Sequence, residues 1–454
     1  MKKLLLMIIA ASLVLSLTAC GSTKQPDASA DSTPDAADTP SESQTNGADE
    51  TLTAAIGTPL TAEEEYTADD GTVLLTVKYE LPQLELRTAA GESAELDGSA
   101  QADICSTFND AMKDAAAELD AAAQEMLTAA KEAYAGLDAA GQAEWTGYAE
   151  ELTVTGTYQT DGLLSIVADG YVSQGGVHPS TYLRTWNYDL TTGEFITFDT
   201  LTGAGNPFGQ ALQAAISADI SGQITDEMSE GYFDGYQDAV VDFASNADFY
   251  FDESGMVVVF DVYVLAPYAA GRQTFSIAYG DFCYLLDEHT RTLFDRSQGE
   301  AVVDDYLTAQ TMWAWFNMSM PPLDGEEIAF TAEDGTDYYS AALGNVTTLD
   351  GLRELLCRYV SEALADEWLS GGKFVEQDGA LYVAMGERGS DITIGDITYS
   401  VEMNGDSGTL TQTVYRQDFD DNGQATLTGE TEEYSYPFDL VDGHAVFSEF
   451  PCPL

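Results

Sequence analysis

Between Leu152 and Phe198 the chain runs as four short stretches: Leu152–Tyr158, Leu163–Tyr171, Tyr182–Leu190 and Glu194–Phe198. Asp-Gly, Gly-Gly and Thr-Thr-Gly separate them. Each stretch is rich in β-branched and aromatic residues, and each gap holds residues that tight turns need. A chain punctuated this way folds as an antiparallel meander. Ahead of it, Ala102–Glu151 is dominated by the strong helix formers Ala, Glu, Leu, Met and Lys. Phe108, Met112, Leu119, Met126, Ala130 and Tyr134 fall near one helical stripe, so at least one long helix is expected, interrupted near Gly136 or Gly141. Two further helices, Gly209–Ile220 and Gly235–Ala244, follow the meander. Strands then return at Phe249–Phe251, Met256–Tyr263 and Thr274–Tyr279, the last two joined by the turn APYAAG at Ala266–Gly271. Upstream, Thr72–Glu80 alternates as a strand that Leu81-Pro82 ends. Strands, helices and strands in blocks indicate α+β rather than a parallel α/β sheet.

Residues 286–305 are polar and read as a linker. Beyond them Ala309–Met318 is an aromatic helix and Leu349–Leu369 an amphipathic one, with Leu352, Leu355, Leu356, Tyr359, Val360 and Leu364 on its apolar face. Strands are expected at Phe374–Glu376, Leu381–Met385, Thr398–Met403, Gly408–Gln417 and Thr426–Phe438. A hairpin-like VDGHAVFSEF precedes the last four residues. The expected fold is therefore α+β, antiparallel sheets packed on helices, in two folded regions at 61–290 and 300–454.

The N-terminus places two lysines before an apolar run, Leu4–Leu17, and then Thr18-Ala19-Cys20. This is a secretory signal over residues 1–19, and it falls short of the roughly 20 apolar residues of a spanning helix. Leu17-Thr18-Ala19-Cys20 resembles a bacterial lipobox, which implies a diacylglycerol on Cys20 and a chain held at the extracellular face of the cell membrane by acyl chains. Residues 20–60 begin as a Ser, Thr, Asp, Ala and Pro tract with almost nothing to bury, and are read as a disordered stalk. The formal net charge is −62. Nucleic acid needs a basic footprint and is excluded as a partner, whereas cationic partners or divalent ions are favoured; a secreted protein kept soluble by its acidic residues is the other reading.

The chain holds three histidines, His178, His289 and His444. His178 lies in Gly175-Gly176-Val177-His178-Pro179, a strand connection whose glycines and proline suit a turn. A general base needs a partner that orients its ring. Asp189 stands at the far end of the next expected strand, so His178 reads as a structural or ligand-contacting residue. Tyr263, Tyr268 and Arg272 around the APYAAG turn are further candidate ligand contacts; core tyrosines beside a plain turn are the other reading. There is no Gly-x-Ser-x-Gly and no metal-type Cys/His spacing, so no catalytic residue, metal or cofactor is expected. Beyond Cys20, the cysteines Cys105, Cys283, Cys357 and Cys452 allow three pairings. The domain division favours Cys105–Cys283 and Cys357–Cys452, with free buried thiols as the alternative. Asp418-Phe419-Asp420-Asp421-Asn422-Gly423 begins like a calcium loop, but its twelfth position is Gly429 where a bidentate Glu is required, so it reads as a hairpin turn.

GGVHPSTYLRTWNYDLTTGEFITFDTL, followed about 50 residues later by FYFDESGMVVVFDVYVLAPYAAGRQTFSIAYGDF, resembles the DUF3298 family. VKYELPQLELR, the helix bearing Asn109, and TVTGTYQTDGLLSIVADGYVSQGG resemble its companion DUF4163. The pair is similar to the extracellular part of RsiV-type anti-sigma factors, which sense lysozyme, and to a module preceding some peptidoglycan deacetylases. The resemblance implies a protein that binds a cell-wall component such as peptidoglycan, or a cationic wall hydrolase such as lysozyme, as sensor or inhibitor. The chain departs from both groups: it has no sigma-binding segment and no deacetylase histidines. Its C-terminal region is similar to cystatin-like and NTF2-like domains and to secreted inhibitors of cell-wall DL-endopeptidases, which implies inhibition through that region as an alternative, beside a peptidoglycan-modifying enzyme.

Overall fold

Val73–Leu81 alternates buried and exposed along most of its length because one face meets a long helix and the other meets solvent. It lies in a five-stranded sheet ordered Leu60–Thr67, Val73–Leu81, Tyr148–Gln159, Leu163–Ser173, Ser180–Asp189. All neighbours are antiparallel except Val73–Leu81 and Tyr148–Gln159, which run parallel. A parallel step needs a crossover, and the helix Ala100–Ala135 supplies it. Ser99 caps that helix, its side chain accepting from Ala102 N at 3.2 Å. Phe108, Met112, Leu119 and Met126 bury against Leu75, Val77, Leu152 and Ile166. Asn109 takes both backbone groups of Leu84, accepting from its N–H at 2.7 Å and donating to its carbonyl at 2.9 Å. That ties the chain after Pro82 to the helix.

The computed structural model describes residues 52–453 apart from 89, 97, 177, 204, 205, 207, 326, 387, 388, 390 and 420–424. The signal, Cys20 and the stalk to residue 51 lie outside the described residues, as do Asp420 to Gly423 of the calcium-like loop. Glu50–Leu454 form one compact unit. Among the described residues no helix is long and apolar enough to cross a membrane.

A three-stranded antiparallel sheet follows: Ala247–Phe251, Gly255–Phe260 and Gln273–Ala278, with Gly255–Phe260 central and buried throughout. A buried polar bridge joins it to the first sheet. Ser165 Oγ donates to Asn187 Oδ1 at 2.7 Å and accepts from Phe251 N at 2.8 Å, and Asn187 Nδ2 donates to Phe249 O at 2.9 Å. Every buried donor there finds an acceptor, which fixes the register of one sheet against the other.

The C-terminal strands form two four-stranded sheets rather than one. The first orders as Phe330–Thr331, Asp337–Ser340, Ala380–Ala384, Phe374–Gln377, and the second as Ile394–Asn404, Ser407–Phe419, Ala425–Val441, His444–Phe447. The fold is α+β, as expected. Thr53–Ile56, expected within the stalk, is a strand paired with Leu84–Arg87, and three further local expectations change. Glu194–Phe198 makes only a single bridge, Tyr188 to Phe195, and Thr197 starts a helix instead. Leu349–Leu369 is two helices, Leu349–Leu356 and Glu362–Ser370, because Ser361 caps the second one. Tyr359 and Val360 lie in the break and pair with Phe447. Residues 286–305 are not a linker: Glu288–Thr292 is helical, and Gln298–Asn317 buries Val302, Tyr306, Ala309, Met312 and Trp315 in the larger core. That core runs from Leu163 to Phe447.

Candidate functional site

Strands Leu163–Ser173 and Ser180–Asp189 end in the connection that carries His178. Gly170 stands opposite Tyr182, whose ring lies across it; a Cβ there would meet the ring at 2.2 Å, so only glycine lets the two strands pair with that tyrosine laid flat. Facing this strand end is the segment from Asp261 to Arg272. Leu265 and Ala266 are buried in it, and Phe233 N donates to Leu265 O at 2.8 Å. Gly271 turns it with φ +73°, a region that glycine adopts freely. Between the two lies a cavity of about 660 Å³, lined among others by Asp169, Tyr171, Thr181, Tyr268 and Arg272.

Arg272 clamps the cavity wall. Its Nε donates to Asp261 Oδ1 at 2.9 Å and its Nη1 to Asp169 Oδ1, one carboxylate from each side. Its Nη2 is buried with no hydrogen-bond partner among the described residues, which costs about 1–3 kcal/mol. Nearby, burial first and the Asp261 charge second push the Asp248 carboxyl up to about 6, against the pull of Arg272.

The aromatic side of the site is a row of three rings. His178 stacks on Tyr268 with centroids 5.3 Å apart and planes at 25°, and Tyr268 lies 5.9 Å from Tyr263. Tyr263 is 63 % exposed and has φ +70°. A bulky residue at positive φ carries about 1–3 kcal/mol of strain and persists only where its surroundings over-determine it. The buried Leu265 and Ala266 next to it, and the bond from Tyr263 N to Ala266 O at 3.0 Å, do so here.

The four candidate contacts read from sequence, His178, Tyr263, Tyr268 and Arg272, thus come together on one surface. Asp169, Tyr171, Thr181 and Asp261 were not anticipated. Asp169 is 103 residues from Arg272 along the chain, so the signal was only the general one that an arginine in a strongly acidic chain finds carboxylates. Asp189 serves a different histidine: His289 Nε2 lies 2.5 Å from its Oδ2. Burial opposes ionisation of Asp189, but hydrogen bonds from Thr191 and His289 hold its carboxyl below the usual range. Cys105, Cys283 and Cys357 are free thiols, so neither expected bridge is made. Cys105 and Cys283 belong to different cores, and Cys452 Sγ sits 3.7 Å from Gln310 Nε2. Burial pushes the Cys105 thiol up to about 11 and the Cys283 thiol up to about 12. Among the described residues no group of three His, Cys, Asp or Glu is arranged to hold a metal ion. The arrangement offers flat ring faces beside a fixed guanidinium, which is chemistry for recognition.

Residues 201–280 match a family described as "Protein of unknown function (DUF3298)". Among solved structures, a DUF3298 family member from Bacteroides fragilis NCTC 9343 is similar with 16% identity and a TM-score of 0.38, over 53% of this chain and 95% of that one. A DUF3298 family protein from Pseudomonas aeruginosa PAO1 is similar with 16% identity and a TM-score of 0.31, over 55% of this chain and 99% of that one. No protein with a curated description matches. The cavity wall from Asp261 to Arg272 falls inside the matched span, while His178 and Asp169 lie before it, and a DUF3298 domain occupies residues 201–280 of this chain.

Proposed function

We propose that this chain is a lipoprotein of the extracellular face of the cell membrane, anchored through Cys20, that recognises a component of the cell wall at the His178–Tyr268–Tyr263 row. The observation that carries the reading is the ring row beside the Arg272 cavity. Polarised sugar C–H groups pack against the negative faces of aromatic rings. The carboxylates of Asp169 and Asp261 at the cavity wall suit hydroxyl and ammonium groups on the same ligand. Wall glycopeptides combine these groups. The sequence resemblance to DUF4163 and to RsiV-type extracellular regions supports a role at the envelope. The test is calorimetric titration of Glu50–Leu454 with soluble muropeptides. Saturable binding that falls tenfold or more in Tyr268→Ala is expected. Absence of saturable binding at millimolar ligand, or equal binding by the variant, sinks the reading.

A second reading, a cationic wall hydrolase such as lysozyme as the partner, rests on the net charge of −62. Surface attraction of this kind fades with salt over roughly 8–10 Å. Lysozyme binding that survives high salt, when that of an equally basic control protein is gone, would favour a shaped protein interface; parallel loss of both would leave only generic attraction.

A further inference from the structure

A second cavity, of about 520 Å³ and open to solvent on one side, borders the larger core where four parts of the chain meet: Tyr279–Leu286, Glu288–Asp305, Arg358–Tyr359 and Asp442–His444. The chain has nine arginines, and Arg291, Arg296 and Arg358 all line this one cavity. Two of them are fixed. Arg296 donates from Nε and Nη2 to Asp304 at 2.8 and 2.9 Å and lies over the Tyr279 ring at 5.3 Å. Arg291 donates to Tyr359 Oη at 2.6 Å and to Asp305 Oδ1 at 3.1 Å. Asp305 is further held by Ala445 N at 2.7 Å and His444 Nδ1 at 3.2 Å. These buried charges are satisfied among themselves and form a rigid wall.

Arg358 differs. It is exposed, at the lining of the cavity, and makes no ion pair with any described residue. Among the described residues every other arginine makes at least one: Arg87, Arg184, Arg272, Arg291, Arg296, Arg353 and Arg416. In a chain of net charge −62 a guanidinium beside a cavity with no carboxylate of its own is a feature to explain. Its planar fork matches a carboxylate bidentately. Tyr279, Tyr284 and Phe294 supply apolar surface for the rest of a ligand, and Glu288 and Asp442 lie in the same lining to meet a cation. A doubly charged phosphate would face Asp304, Asp305, Glu288 and Asp442 together, which disfavours it. The volume falls within the range of small-molecule sites, about 300–1,000 Å³.

We propose that this cavity binds a small zwitterion, a free amino acid or dipeptide, with its carboxylate on Arg358, its ammonium toward Glu288 and Asp442, and its side chain against Tyr279 and Phe294. The site is separate from the Arg272 cavity and does not depend on the reading given for it.

The experiment is calorimetric titration of Glu50–Leu454 with phenylalanine and with alanyl-alanine, using acetate and inorganic phosphate as comparison probes. At least one zwitterion binds with a Kd of about 1 mM or tighter, and binding weakens tenfold or more in Arg358→Ala. Arg358 is exposed and makes no ion pair with any described residue, so this variant keeps its fold, which an unchanged Tm checks. Tyr268→Ala, at the other site, leaves this binding intact. Three results overturn the proposal: neither zwitterion binds, phosphate binds more tightly than both, or Arg358→Ala binds as well as the parent chain.

Discussion

The two arginine-lined cavities are built from the same pairs of residues in opposite surroundings. At the outer site the carboxylates that hold Arg272 are partly in water, with Asp169 and Asp261 side chains 46% and 32% exposed. At the inner site Asp305 and Asp304 are 3% and 5% exposed. The outer site adds exposed rings and a tyrosine at positive φ, whereas the inner one adds a closed network of buried hydrogen bonds. Burial of the acid decides what an arginine–carboxylate pair does. In water it positions a side chain and adds little stability; away from water its loss strands a charge.

The largest effect expected from this contrast is in Asp305→Ala. It leaves Arg291 without a carboxylate and takes an acceptor from both Ala445 N and His444. Breaking such a buried set costs about 3–5 kcal/mol. Asp169→Ala removes a partly exposed partner while Asp261 still holds Arg272, so its cost stays under about 1 kcal/mol. Urea unfolding of both variants measures the difference. Equal losses would erase the distinction between the two sites.

A smaller effect separates the sites by pH. In the folded chain Asp248, beside Asp261, keeps its proton up to about pH 6, against an ordinary value of 3.8. Between those pH values the folded state binds more protons than the unfolded one, so stability falls as pH rises and the loss is complete above about 6. Asp248→Asn removes that loss. It is more stable than the parent by about 1–2 kcal/mol at pH 8, after allowance for partial exposure, and the two converge near pH 4. A gain that is the same at both pH values would show that charge is not its source.

The pattern of legibility follows the same division between wet and buried polar groups. Ala100–Ala135 and Gly255–Phe260 were readable because their apolar spacing is local and their surroundings only confirm it. The outer site was readable in part, since His178, Tyr263, Tyr268 and Arg272 flank turns whose glycines and prolines mark them in sequence. The inner site was not. Asp304, Asp305, Arg291 and Arg296 give residues 286–305 the composition of a solvated linker, yet they face one another in the interior, and only three-dimensional pairing reveals that. Ser361 shows a milder form of the same difficulty. Its neighbours extend the apolar stripe of Leu349–Leu369, but its hydroxyl accepts from Leu364 N and starts a new helix. The strand Leu60–Thr67 is hidden in the sequence because Glu63, Glu64 and Glu65 all stay exposed, so no alternation appears. The cysteines fail for a geometric reason, because spacing along the chain does not place Cys105 and Cys283 in separate cores.

The finest expected effect tests whether the outer site stores strain for binding. Tyr263 sits at φ +70°, where a Cβ is disfavoured and glycine is not. Both Tyr263→Gly and Tyr263→Ala remove the ring that stands 5.9 Å from Tyr268, so both weaken muropeptide binding alike. Their stabilities part company. Alanine keeps the backbone strain and glycine releases it, at some cost in unfolded-state entropy, which leaves the glycine variant ahead by roughly 1 kcal/mol. At an unstrained position the order reverses, because glycine there is the worse residue by about 0.5–1 kcal/mol. Thermal unfolding of the pair, read beside their binding, therefore separates a ring held in a costly conformation at a recognition surface from one that merely lies over a turn: the first requires glycine above alanine in Tm, the second requires alanine above glycine.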